Sequence, residues 1–172
     1  MNGRKWCIGI CLIALTLLYI WSNSLQSAFQ SNEQSKKVLE VIEEVFHTPP
    51  LETKEAQHIV RKVAHLAEFA LLGLEMTLLL FIAGKKLKQN VIIILFIGLA
   101  SAIVDETIQA FTQRGSQVMD IWIDFIGLIS GIGLGLSAFV LFRGTIVLIS
   151  TRKHAGMTKR RFCPNSNSHD IP

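Results

Sequence analysis

The residues of this chain that could do chemistry are charges set inside apolar segments. Asp105 and Glu106 stand near the end of one long apolar run, with Gln109 one helical turn further on. A short polar turn carrying Arg114 and Ser116 follows, and Asp120 and Asp124 then open the next apolar run. A separate apolar run begins with Lys62, His65 and Glu68, three residues apart. Within a bilayer a lone charge near the centre of a helix costs about 2.5–3.5 kcal/mol on insertion scales. Such residues must be paired, hydrated or used.

Depth links the three segments. At about 1.5 Å per residue from the nearer end of each run, His65 lies about 3 Å in, Glu68 and Asp124 about 8 Å, and Asp105 about 9 Å, with Asp120 at the rim. Gln109 shares a helix face with Asp105. Glu68, Asp105, Glu106, Asp120 and Asp124 supply five acids against Lys62, Arg114 and the partial base His65. Arg114 can fork onto a carboxylate, and Lys62 can reach down or extend to the surface. An excess of acid remains, to be met by protons, water, a cation or a basic ligand. The expected polar or ligand-binding site is therefore Lys62, His65, Glu68, Asp105, Glu106, Gln109, Arg114, Ser116, Asp120 and Asp124. Its bland counterpart is a salt-bridge network that fixes helix register.

Catalytic signatures are weaker. There is no Ser/His/Asp order, HExxH, Walker loop or dinucleotide fingerprint. In an enzyme His65 would be the acid/base, oriented by Glu68 or Asp105. A carboxylate-rich site with one His suits Mg²⁺ or Ca²⁺, but the sequence does not set a ligand number, so neither a metal nor a cofactor is assigned. Glu75 lies about 18 Å deep with no partner legible in the sequence.

The elements that hold these residues follow from composition. Half of the 172 residues are hydrophobic and the mean hydropathy is +0.42, which points to an all-α polytopic membrane protein. Apolar runs at 6–21, 63–83, 91–111 and 119–142 predict a four-transmembrane-helix bundle, the second helix starting outside the bilayer near Thr53. The first run is read as a retained helix rather than a cleaved signal peptide. Between the first two spans, Val38, Val41, Ile42, Val45 and Phe46 recur at helical spacing opposite Lys36, Lys37, Glu40, Glu43 and Glu44. They predict an amphipathic outer helix with Ser31-x-x-Gln34 as its capping box and Pro49-Pro50 as its stop. Residues 146–149 are too short to cross and are placed at the interface. The organisation is then an N-terminal transmembrane helix (1–24), an extracytoplasmic segment (25–61), a transmembrane core (62–149) and a basic, disordered tail (150–172). Gly98 and Ala102, and Gly127, Gly131 and Gly135, repeat every four residues and predict close helix packing.

Orientation follows from Lys and Arg bias. Arg4 and Lys5, the loop with Lys85, Lys86 and Lys88, and the tail with Arg143, Arg152, Lys153, Lys159, Arg160 and Arg161 fall on one side, the cytoplasm, with both termini. The polar site then faces outward, away from the cytoplasm. The net charge of +4 makes no basic stripe with interleaved aromatics, so nucleic acid is not an expected partner; the lipid bilayer and an outer-leaflet or envelope ligand are. Cys7 and Cys11, one turn apart, read as small packing residues, and Cys163 sits in the tail. Nothing in the sequence sets the oligomeric state.

Taken together these elements resemble the VanZ-like family of bacterial membrane proteins. The resemblance is carried by Lys62-x-x-His65-x-x-Glu68-Phe69 with Leu72-Gly73, by Asp105-Glu106-x-x-Gln109-x-Phe111, and by Arg114, Ser116, Asp120, Gly127 and Gly131. Ser22-x-Ser24 resembles the family's serine pair, and the whole covers roughly residues 22–135. Phe69 stands where a tyrosine is usual, so no hydroxyl carries over, and Asp124 stands near a common asparagine, which adds a charge. The resemblance implies an integral membrane protein, related to one that lowers susceptibility to teicoplanin, and implies no established chemistry. Three functions are weighed on this basis: a non-enzymatic envelope protein that binds or occludes a ligand, a membrane enzyme on a lipid-linked or peptidoglycan precursor, and a small transporter subunit. The first is favoured.

Overall fold

The computed structural model describes residues 3–47, 53–85, 87–112 and 117–161, with side chains described as far as 143 except those of 87 and 88. Its regular structure is helical throughout: α1 (Gly3–Ser24), α2 (Ala28–Phe46), α3 (Lys54–Ile82), α4 (Leu87–Phe111) and α5 (Val118–Arg161). Four of these carry stretches long and apolar enough to cross a membrane, in Gly3–Ser24, Lys54–Ile82, Gln89–Phe111 and Val118–Arg143. The chain is thus a polytopic helical membrane bundle. Its surface is what a bilayer solvent requires: Ile8, Leu15, Ile92, Phe96 and Leu134 are all more than half exposed, a pattern that soluble monomers avoid.

Capping decides where the helices begin. The Thr53 hydroxyl accepts from the amide of Ala56 at 3.1 Å, and Glu55 sits in the first turn, so α3 starts where the sequence places it. In α2 the start differs from expectation. The capping box is Ser27 with Gln30, each side chain serving the other's backbone amide, not Ser31 with Gln34. Only three residues separate α1 from α2, and Ser27 captures the first free amides before Ser31 is reached. Ser31 is instead buried inside the helix, its carbonyl accepting the Ser35 hydroxyl. The helix ends at Phe46 with His47 in the left-handed region, φ 52°; Pro49 and Pro50 lie outside the described residues.

Periodicity leaves open whether α2 lies on the membrane surface or over the bundle, and by which face. Ser31, Ser35 and Leu39 are buried, and α2 packs on α3, whereas Val38, Val41 and Val45 are 47%, 58% and 65% exposed. Serines admit a closer helix approach than valines, so the small residues face α3 and the apolar shoulder is left open.

One core serves α1, α3, α4 and α5: Ile20, Phe69, Leu72, Met76, Ile94, Ala102, Leu128 and Ile132. Phe69 is completely buried within it, a role that needs no hydroxyl. Around this core the helices meet backbone to backbone. A methyl added at Gly127 would strike the carbonyl of Leu66, and one at Gly131 would strike that of Ala70. One at Gly135 would meet the Thr77 side chain, and one at Gly98 the Leu128 side chain. Ala102, also expected as a packing residue, is fully buried. Gly73 on α3 belongs to the same seam, facing the carbonyl of Leu128.

These contacts belong to the first of two compact units, Met1–Leu136; the second is Ser137–Pro172. Within the second, the Arg143 guanidinium lies 5.6 Å from the centre of the Phe139 ring. The sequence expects an interfacial stretch at 146–149 and a disordered tail from Thr151, but α5 continues through Arg161. No proline interrupts it before Pro164. Cys163 lies outside the described residues. Cys7 and Cys11, expected as packing residues, are on the exposed side of α1, because the tight contacts of α1 run along a different face, through Gly9, Thr16, Ile20 and Ser24.

Candidate functional site

Four helices end at one rim of the bundle: α1 at Ser24, α4 at Phe111, and α3 and α5 by their starts at Lys54 and Val118. Below that rim α3 presents Lys62, His65 and Glu68 on one face. His65 Nδ1 stands 3.5 Å from Asp105 Oδ2 and 3.8 Å from Glu68 Oε2. Asp124 approaches from α5, so that one donor atom each from His65, Asp105 and Asp124 lies within 4.8 Å of the others. Asp105 is completely buried and Asp124 is 1% exposed. The common depth that helix rise predicts is therefore matched by convergence in space.

Neutral donors hold these acids in place. The Ser24 hydroxyl donates to Asp105 Oδ1 at 2.6 Å, and Gln109 Nε2 donates to Asp105 Oδ2 at 2.8 Å and to Glu106 Oε1 at 3.2 Å. Asn23 Nδ2 donates to Glu68 Oε1 at 2.7 Å. Thr112 bonds back to the carbonyl of Ser24, tying the end of α1 to the end of α4. At the rim Lys62 Nζ pairs with Asp120 Oδ1 at 2.8 Å, both side chains part-exposed. Arg114 and Ser116 lie outside the described residues, so the other eight site residues are the ones whose positions are given.

Two cavities border the cluster. One of about 30 Å³ is lined by Lys62, His65, Glu106, Gln109, Asp120 and Asp124, with His58 and Arg61 at its edge. The other, of about 390 Å³, lies among α1, α2 and α3, with Asn23, Ser31, Ser35, Lys37, His65 and Glu68 in its wall. His65 lines both. Ser31 and Ser35 of α2 add polar groups to the wall of the second cavity, beside Val38, Val60 and Ala64.

Sequence reasoning left Asn23, Thr112 and Arg61 out of the site, and Ser24 entered only through its likeness to a serine pair. Uncharged donors near a helix end carry no composition signal, and the Ser24–Asp105 contact joins residues 81 apart. Glu75 does have a partner: Thr16 of α1 donates to its Oε1 at 3.0 Å. That threonine, on a helix otherwise read only for hydropathy, is what the sequence did not single out.

A four-span helical membrane protein with a buried histidine–carboxylate cluster below one rim is the class that fold and site define. The family model VanZ/LLP1 matches residues 7–143. With most of the chain covered, the protein belongs to the VanZ/LLP1 family, and the match takes in α1, which the motif resemblance reached only at its end. No curated protein and no solved structure matches the chain.

Proposed function

We propose that the protein is a non-enzymatic component of the bacterial cell envelope, with both termini cytoplasmic and its polar site open to the outer leaflet. There it binds or occludes a ligand and lowers susceptibility to teicoplanin-type glycopeptides. The observation carrying this reading is the 390 Å³ cavity among α1, α2 and α3, whose wall includes His65 and Glu68 of the acidic cluster. A cavity of that size admits a head group or part of a larger molecule, and the surplus of carboxylates favours a cationic one. Orientation is supported by the basic residues at the opposite rim. The test is expression in a susceptible Gram-positive host of vector, wild type and Glu106→Gln, with measured inhibition by teicoplanin and by lipoglycopeptides. Wild type raises the inhibitory concentration and the variant lowers it again. Equal values for all three would end the resistance reading.

His65, flanked by Asp105 at 3.5 Å and Glu68 at 3.8 Å, has the surroundings of an acid/base, which supports a second reading. In it the protein acts on a lipid-linked or peptidoglycan precursor. Under that reading His65→Ala alters the lipid or muropeptide profile of cells that still accumulate the protein. An unchanged profile counts against it.

A further inference from the structure

The cluster has a donor set and a charge imbalance that point to an ion. Asp105 arrives already oriented, its two oxygens held by Ser24 and Gln109, as metal-binding carboxylates are held by outer partners. Asp124 has no such support. Among the described residues its Oδ2, sealed from solvent in a residue 1% exposed, meets no hydrogen-bond donor. A buried carboxylate oxygen without a donor is costly unless a proton or a cation serves it. The neighbouring described cations are engaged elsewhere, Lys62 with Asp120 at 2.8 Å and Arg61 with Asn32 at 3.0 Å.

We propose that His65, Asp105 and Asp124 are the protein ligands of a divalent transition-metal cation, with Zn²⁺ the best-matched ion. The donor atoms, all within 4.8 Å of one another, surround one centre. Zinc bonds of about 2.0–2.2 Å place tetrahedral donors roughly 3.3 Å apart, and the 3.5 Å between His65 Nδ1 and Asp105 Oδ2 is already near that spacing. Asp124, within 4.8 Å of both, closes the set by moving inward up to about 1.5 Å. An imidazole nitrogen beside two carboxylates selects zinc or its neighbours over magnesium, which prefers oxygen and retains water. Three protein ligands leave a fourth position. The cavity of about 30 Å³ lined by His65 and Asp124 has room for a water there. One divalent charge balances Asp105 and Asp124.

This inference concerns the same cluster but does not depend on the glycopeptide reading, and its test uses purified protein rather than cells. Full-length protein in detergent is stripped with EDTA, reloaded with Zn²⁺, desalted and assayed for metal content and melting temperature. Wild type is expected to retain about one zinc per chain and to melt higher with zinc than without. Asp124→Asn, which removes the charge and keeps the shape, is expected to bind at least tenfold more weakly, to lose the zinc-dependent shift, and to melt above stripped wild type. Glu75→Gln, remote from the cluster, keeps full binding. Failure of wild type to take up stoichiometric zinc, equal retention by Asp124→Asn, or preference for Mg²⁺ over Zn²⁺ would each overturn the assignment. If Asp124→Asn fails to fold, cobalt loading of wild type decides: a visible d–d spectrum supports the site and a colourless protein rejects it.

Discussion

Gly131→Ala should destabilise the bundle, although alanine is intrinsically the better helix former. A Cβ at Gly131 would overlap the carbonyl of Ala70, press on its carbonyl carbon and crowd the amide nitrogen of Leu74 at 2.9 Å. These are backbone atoms of α3, which cannot swing aside as a side chain can. Carbon contacts relax only near 3.5–4.0 Å, so α5 must move from α3 by about 1 Å or more. Overpacking of this kind costs about 1–3 kcal/mol, equivalent to a fall of roughly 2–12 °C in melting temperature for a chain of this length. The displacement also reaches the site, because α5 carries Asp120 and Asp124 while α3 carries Lys62 and His65. Gly133→Ala is the matched control. It adds the same methyl two residues away on the exposed side, where nothing lies within 4 Å, and should leave the melting temperature unchanged or raise it. Detergent-solubilised variants followed by thermal unfolding and size exclusion make the comparison. Should Gly131→Ala melt at or above wild type, the close α3–α5 approach is wrong.

The Lys62–Asp120 pair, at 2.8 Å and partly exposed, should show a coupling of about 0.5–1 kcal/mol in a cycle of Lys62→Gln and Asp120→Asn; additive single variants would mean that the pair is not formed. Ser24→Ala should lower stability by about 1.5–3 kcal/mol, because it takes the donor from a fully buried carboxylate, and a melting temperature equal to wild type would contradict the bond. Ser27→Ala should cost about 1 kcal/mol at the start of α2, seen as faster amide exchange in the first turn of that helix, with no such change if Ser31 is the true cap. Intact mass of protein purified from membranes should include α1, since cleavage near Ser24 would remove Ile20 from the core and the donor of Asp105; a mass short by residues 1–24 would refute this.

Much of the fold could be read from the sequence because two of its determinants are local. Apolar run length sets how many spans there are, and the 1.5 Å rise of a helix sets how deep each charge lies. Depth is a one-dimensional quantity, and it placed Glu68, Asp105 and Asp124 at a common level, with His65 one turn nearer the rim, without tertiary information. Rotation about each helix axis is not local. The stripe Val38, Val41 and Val45 satisfies helical periodicity, but periodicity does not say whether an apolar face turns to the bundle or to lipid. The structure settles it by close packing of Ser31 and Ser35. The Gly127, Gly131 and Gly135 spacing was legible for the opposite reason: a glycine seam has only one use at an interface between membrane helices.

The same distinction explains what the site is. Hydrogen bonding is not even across its carboxylates. Asp105 on α4 has Ser24 and Gln109, Glu68 on α3 has Asn23, and Asp120 at the rim has Lys62. Asp124 on α5, nearly as buried as Asp105, has an oxygen with no donor among the described residues. A network built only to lock helix register would supply donors where burial is deepest, because that is where a missing one costs most. Here the partners come from α1, α3 and α4, whereas Asp124 Oδ2, on α5 beside a cavity, meets no donor among the described residues. On the zinc proposal this unserved oxygen is the place kept for the cation, and the metal-retention assay on Asp124→Asn separates that from a protonated scaffold contact.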